Sequence, residues 1–358
     1  MKLPKAKRLN VEKYVGGLGA LKSTKGKIKL SANESALGPS PKAIKEYIKV
    51  SKNFKRYPDS NGSALKEIIA KNFNLDKKKI ILGSGSDEIL ELICRSFLKK
   101  NDEVIVPKFS FIIYRMYSKK MGAKVIFAKE ENFKISIKNI LSCVSKKTKI
   151  VFLANPNNPT GTFIDKKEII FLRKNLRSDI LLVIDDAYCE YIKNKNYHSG
   201  LKLFSKYKNV LITRTFSKAY GLAGLRVGWG YGSKDIVDSL NKLRPPFNVN
   251  RPGLLAAVES IKDKKWLKKE IKHVIKWRKI FYKVFQELKI TTNETYGNFF
   301  LLKFNNVKLS SGFIFNALLK AGILVRKMNI YGIKNSLRVT IGTSKENKKF
   351  ISEIKKLL

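Results

Sequence analysis

Four short stretches of the chain place reactive side chains directly after apolar runs. Lys218 closes Thr213-Arg214-Thr215-Phe216-Ser217-Lys218 behind the run NVLIT (209–213), and Gly221, Gly224, Arg226 and Gly228 follow. A lysine flanked by hydroxyls, with an arginine eight residues on, suits phosphate binding or condensation with a carbonyl. Asp185-Asp186-Ala187-Tyr188 follows ILLVI (180–184), and acids directly behind a buried strand cost desolvation energy unless partnered. Asn155-Pro156-Asn157-Asn158-Pro159-Thr160-Gly161 follows KIVFLA (149–154), a loop stiffened by two prolines and more polar than a turn requires. Gly83-Ser84-Gly85-Ser86-Asp87 leads into a helix-spaced segment whose first-turn N–H groups can hold a phosphate. Each stretch alone also reads as an ordinary turn. Together they meet each demand of pyridoxal phosphate once. Lys218 is the amine, Asp185 the acid for the ring nitrogen, and Asn158 and Tyr188 the donors to the ring oxygen. Ser86, Asp87, Ser217 and Arg226 form a phosphate cup, and Phe109 offers an aromatic face.

Chemistry at these positions requires elements that bring the four stretches to one edge. Helical spacing runs over 63–73 and 87–98, with a further helix near 110–121. Strands are expected at 80–82, 103–106, 124–128, 149–154, 180–184 and 209–213, the last three continuously apolar as in strands buried on both faces. This alternation predicts an α/β fold with a mostly parallel sheet, whose strand ends are where ligands bind. Residues 253–288 read as one or two Lys-rich helices with Trp266 and Trp277 inward, followed by strands at 299–304 and 337–341 around a helix at 311–321. That segment predicts a smaller α+β unit.

Composition narrows the function classes. The 358 residues carry 74 Lys+Arg against 28 Asp+Glu, a net charge of +46, yet 44% of the chain is hydrophobic, which excludes extensive disorder. Of the basic residues 61 are Lys and 13 are Arg, and the Lys is spread through every segment. Readers of phosphates and base edges lean on Arg, so the charge is expected to be a lysine coat and no nucleic-acid partner is expected. Three cysteines without a CxxC pair and two unrelated histidines point to neither a disulfide frame nor a metal site. With no 18-residue apolar run and no apolar core behind the charged N-terminus, no membrane partner is expected, and the setting is expected to be cytoplasmic.

The series NPxNPTG, DxAY and SK…R resembles the fold type I pyridoxal-phosphate-dependent aminotransferases. The resemblance spans nearly the whole chain. It includes Tyr14-Val15-Gly16-Gly17, Leu30-Ser31-Ala32-Asn33-Glu34, Arg56-Tyr57-Pro58, Val325-Arg326 and Leu337-Arg338-Val339-Thr340-Ile341-Gly342-Thr343. It implies a large cofactor-binding domain over 45–248 and a small domain made of 1–44 and 249–358. Lys218 then bonds the cofactor and shuttles the substrate proton, Asp185 partners the ring nitrogen, and Asn158 and Tyr188 donate to the ring oxygen. Thr215 joins Ser86, Asp87, Ser217 and Arg226 in the cup. Tyr57 would reach the phosphate in a neighbouring subunit, which implies a homodimer with shared sites. Arg338 would grip a substrate carboxylate or phosphate, helped by Arg326 and Tyr14, with Asn33 also on the substrate side. The implied reaction moves an amino group between an amino acid or phosphorylated amine and a 2-oxo acid. Aromatic 2-oxo acids are the alternative substrates; decarboxylation of a phosphorylated amino acid and polyanion binding rank below both. The chain departs from the family at Ser35-Ala36, where Asn-Pro is usual, and at Asp186, where Glu is common. Phe111, two residues on, competes with Phe109 for the stacking role.

Overall fold

The computed structural model describes residue 11 and residues 28–358. Strands are β1 (Ile28–Lys29), β2 (Ile80–Gly83), β3 (Glu103–Pro107), β4 (Lys124–Ala128), β5 (Thr148–Ala154), β6 (Leu181–Asp185), β7 (Val210–Thr215), β8 (Gly228–Tyr231), β9 (Thr291–Thr292), β10 (Phe299–Lys303), β11 (Ile323–Leu324), β12 (Arg326–Lys327) and β13 (Ser336–Thr340). Seven of them form the central sheet in the order β2-β8-β7-β6-β5-β3-β4. Its pairs are parallel except those of β8, which runs against both β2 and β7. The expected α/β architecture with a mostly parallel sheet is therefore present, and β8 is an element that the periodicity of Gly-Trp-Gly-Tyr did not announce.

The apolar runs have a direct cause. Val151, Leu153, Leu182, Ile184, Val210 and Ile212 face one core, while Ile150, Phe152, Val183 and Leu211 face the other. Successive side chains of a strand point to opposite faces, so a strand covered on both sides must be apolar throughout. Helices Ser63–Phe73 and Lys166–Asn175 supply the first core, and Ser86–Phe97 and Ile112–Lys120 the second.

A third core lies under the antiparallel sheet β12-β13-β10-β9, against helices Lys264–Glu287, Ser311–Lys320 and Ser344–Leu357. The short pair β1–β11 ties the start of the described chain to this unit. Helix Arg251–Lys262 packs with the first core through Ala256, Ala257 and Ile261, and Asp263 separates it from the next helix. On that packing we propose the seam of the second unit near Asp263, fifteen residues beyond the expected 248. No helix among the described residues is long and apolar enough to cross a membrane.

The third core centres on Phe281, fully buried with ring centroids 5.4 Å from Phe285 and 5.7 Å from both Phe300 and Phe350. Replacing it by alanine, F281A, is expected to lower the unfolding free energy by about 3–5 kcal/mol. Urea denaturation checks this, and a loss below about 1 kcal/mol would show that the cluster does not hold the smaller unit.

Candidate active site

Strands β5, β6 and β7 end side by side, with Ala154 opposite Asp185 and Asp185 opposite Thr213. The loops that leave them enclose a cavity of about 240 Å³. Lys218, Asp185, Asn158, Tyr188, Arg226 and Arg338 all line it, as do Ser86, Asp87, Thr215, Ser217, Asn33 and Arg326. Residues from all four stretches that follow the apolar runs thus meet in one place.

Lys218 donates from Nζ to the Ala32 carbonyl at 3.1 Å. Burial, and then the Arg338 guanidinium, push its amine down to about 8, against the smaller opposing pull of Asp87 and Glu34. Asp185 sits across the cavity floor, 5% exposed. Its Oδ2 accepts from the Tyr114 hydroxyl at 2.7 Å and its Oδ1 from the Ala187 N–H at 3.2 Å. Burial pushes this carboxyl up to about 6, with Tyr114 pulling the other way. A buried acid of this kind is best served by a cationic partner. Asp186 faces away, accepting from the Gly200 N–H at 2.7 Å, and burial pushes it up to about 8.

The helix Ser86–Phe97 starts at the cavity wall with no side-chain cap, so its first N–H groups face the cavity edge. Gly85 has φ +81°, and a Cβ there would stand 2.3 Å from Arg226 Nη2; one at Gly228 would stand 2.2 Å from the Ser86 nitrogen. Glycine at 85 leaves room for the Arg226 guanidinium, and glycine at 228 lets β8 approach the backbone of the helix start. Arg226 itself donates to Ser217 Oγ at 3.3 Å and pairs with Asp87 at 3.6 Å. The result is a cluster of donors and one guanidinium suited to an anion.

On the opposite wall, Tyr188 takes a hydrogen bond from Asn33 Nδ2 at 3.0 Å, and Asn158 offers its amide oxygen to Arg338 Nη1. Arg338 also donates to the Ser31 carbonyl at 2.9 Å. Three consecutive residues, Ser31, Ala32 and Asn33, therefore meet Arg338, Lys218 and Tyr188 in turn. Arg326 on β12 lies directly opposite Arg338 on β13.

Of the two phenylalanines, Phe111 lines the cavity and Phe109 does not. The Phe109 ring stacks on Phe133 at 5.3 Å, with its N–H on Glu130 Oε1 at 2.6 Å, which turns it to the outer loop. Tyr57 is 80% exposed, stacked on Phe247 at 4.6 Å, and does not line its own chain's cavity. Tyr14 lies outside the described residues. Sequence reasoning did not find Tyr114, Ser31 or Tyr331 at the cavity. Tyr114 belongs to the buried face of a helix, where a tyrosine reads as packing.

The family described as Aminotransferase class I and II matches residues 25–354. The histidinol-phosphate aminotransferase of Pelagibacter ubique is 50% identical over 356 residues, covering 99% of both chains. That of Paramagnetospirillum magneticum is 38% identical, over 99% of this chain and 98% of the relative. Among solved structures, the histidinol-phosphate aminotransferase of Sinorhizobium meliloti in complex with pyridoxal-5'-phosphate superposes with a TM-score of 0.85. It is 22% identical, over 93% of this chain and 92% of that one. The enzyme of the same name from Clostridium acetobutylicum also gives 0.85, at 26% identity over 92% and 98%.

The lowered Lys218 value has a measurable sign. Its amine is mostly neutral above pH 8, where a lysine of ordinary value 10.5 is still protonated. Acylation of Lys218 in protein freed of small molecules, followed by peptide mass spectrometry, should therefore rise with pH with a midpoint near 8. A midpoint near 10.5 would contradict the dry environment described.

Proposed function

The chain belongs to the class I and II aminotransferases, and on that premise we propose that it moves an amino group between L-histidinol phosphate and 2-oxoglutarate with pyridoxal phosphate as its cofactor. The observation that carries the substrate is the cross-strand pair Arg326–Arg338. Residues directly opposite on antiparallel strands share a face with Cβ atoms about 5 Å apart, and like charges there repel. A phosphate dianion seated between the two guanidiniums reverses that repulsion into two charge-assisted contacts.

The residues present fit the cofactor. The uncapped helix start at Ser86, kept open by Gly85 and Gly228, and the guanidinium of Arg226 match a phosphate. Asp185, raised by burial, matches a protonated ring nitrogen, which would return it to the ionised form. Asn158 and Tyr188 match the ring oxygen as donors, and Phe111 takes the stacking role. When bound, the cofactor supplies an electron sink for the pair released as the substrate C–H bond breaks.

The chain's own residues do the rest. Lys218 Nζ, neutral above about pH 8, is the base that takes the proton from the substrate carbon bearing nitrogen and returns it. Tyr114 and the Ala187 N–H hold the Asp185 carboxylate in one orientation. The burial of Asp185, Tyr188 and Arg338 excludes water from the reacting face. The exposure of Tyr57 supports its service to the phosphate site of a second copy, and so a homodimer. The enzyme acts in the cytoplasm on small molecules.

Purified enzyme should show the near-visible absorption of lysine-bound cofactor and lose it in K218A; colour that survives would remove Lys218 from its role. In half-reactions followed by that absorption, histidinol phosphate should convert faster than phenylalanine. R326M should reduce kcat/KM about 10- to 100-fold for histidinol phosphate, as expected for one lost contact to a charged group, and much less for phenylalanine. Equal losses for both would overturn the phosphate assignment.

A further inference from the structure

Glu270 is a fully buried acid, 0% exposed, in the helix Lys264–Glu287, whose sequence is otherwise dominated by lysine and apolar residues. Burying a carboxylate is costly unless hydrogen bonds replace its water. Glu270 Oε1 accepts from the Ala36 N–H at 3.3 Å and from the Tyr191 hydroxyl at 3.2 Å, and Oε2 accepts from the Leu37 N–H at 3.0 Å. The Ser35 hydroxyl is a further donor; burial pushes the carboxyl up and these four donors pull it back. The four donors come from two segments only, residues 35–37 and the turn ending at Tyr191.

Both segments lead straight into the cavity. Ser31, Ala32 and Asn33, one residue before 35–37, hold Arg338, Lys218 and Tyr188. Tyr188 itself stands three residues before Tyr191, in the same short turn. The same helix secures the flanks: Trp266 Nε1 donates to the Gly38 carbonyl at 3.1 Å, and Arg278 Nη2 to the Tyr191 carbonyl at 3.4 Å and the Gly297 carbonyl at 2.9 Å. Glu270 is thus the point where the segment under the amine and the turn carrying Tyr188 are joined.

We infer that Glu270 is a positioning residue for the amine site, a buried clamp that fixes the Ala32 carbonyl on Lys218 and Asn33 on Tyr188. This rests on the proposed role of Lys218 and Tyr188 around the cofactor. The clamp needs a carboxylate in particular, because both oxygens accept from backbone N–H groups. A glutamine of the same shape must turn its NH2 towards one of those N–H groups, setting donor against donor.

The test is E270Q in the full-length, cofactor-loaded enzyme. Amide hydrogen exchange of the peptide covering residues 33–38 should quicken about tenfold or more, as for the loss of one bond to a charged group. The visible circular dichroism of the bound cofactor should change, and kcat should fall by a similar factor with KM within about twofold. Adding A36P to E270Q removes the N–H at 36 and should restore part of the dichroism and kcat. Unchanged exchange and dichroism, with only a lower melting temperature, would overturn the inference and leave Glu270 as a packing residue. Wild-type enzyme without any bound-cofactor band would instead sink the reading of the site, while the exchange measurement on the same two proteins would still decide the clamp.

Discussion

A primary amine kept dry among guanidiniums is the condition on which this site depends. Water would favour the protonated form of Lys218, and the role proposed for it needs the neutral amine. Burial does most to prevent that, and Arg338 adds to it, while Asp87 and Glu34 pull the other way and lose. Excluding water has costs at the neighbouring polar groups, and for the main ones the structure supplies partners. Asp185 has Tyr114, Tyr188 has Asn33, Arg338 has Asn158 and Ser31. Each partner both satisfies a buried group and fixes its direction, which is the preorganisation that electrostatic catalysis requires.

These groups come from two units with different cores. The parallel sheet supplies the amine, the acid and the anion cup at its strand ends. The antiparallel sheet supplies Arg326 and Arg338. Residues 28–34 belong to both: Leu30 donates to the Leu324 carbonyl at 2.8 Å and accepts from the Thr340 N–H at 2.9 Å, and its neighbours reach Lys218 and Tyr188. Arg326 and Arg338 are therefore tied to the amine through a few residues of chain.

Much of this was legible in the sequence because buried strands and their exits leave clear marks. β5, β6 and β7 had to be apolar on both faces, and polar residues directly behind them had few reasons to be there but chemistry. What stayed hidden shares one cause, orientation. Whether Phe109 or Phe111 faces the cavity depends on the turn before Ile112 and on the pull of Phe133 and Glu130. Tyr114 reaches Asp185 with the tip of a side chain whose ring is ordinary core, stacked on Phe152 at 4.9 Å. Glu270 sits in a helix so rich in lysine that an acid there reads as solvated. β8 is four residues long with two glycines, too short for a period to register.

That short reversed strand shapes the site. Because β8 runs against β7, with Thr215 opposite Gly228, the chain leaves and re-enters the sheet at the same edge. The excursion between those two residues holds Ser217, Lys218 and Arg226. A parallel strand would have required a crossover to the far edge of the sheet before returning, carrying the cation away from the amine. Here the Lys218 amine and the Arg226 guanidinium form a single mechanical part hung from one register. A slip of one residue between β7 and β8 would displace both together, so neither can be retuned by sliding the strand pair without moving the other.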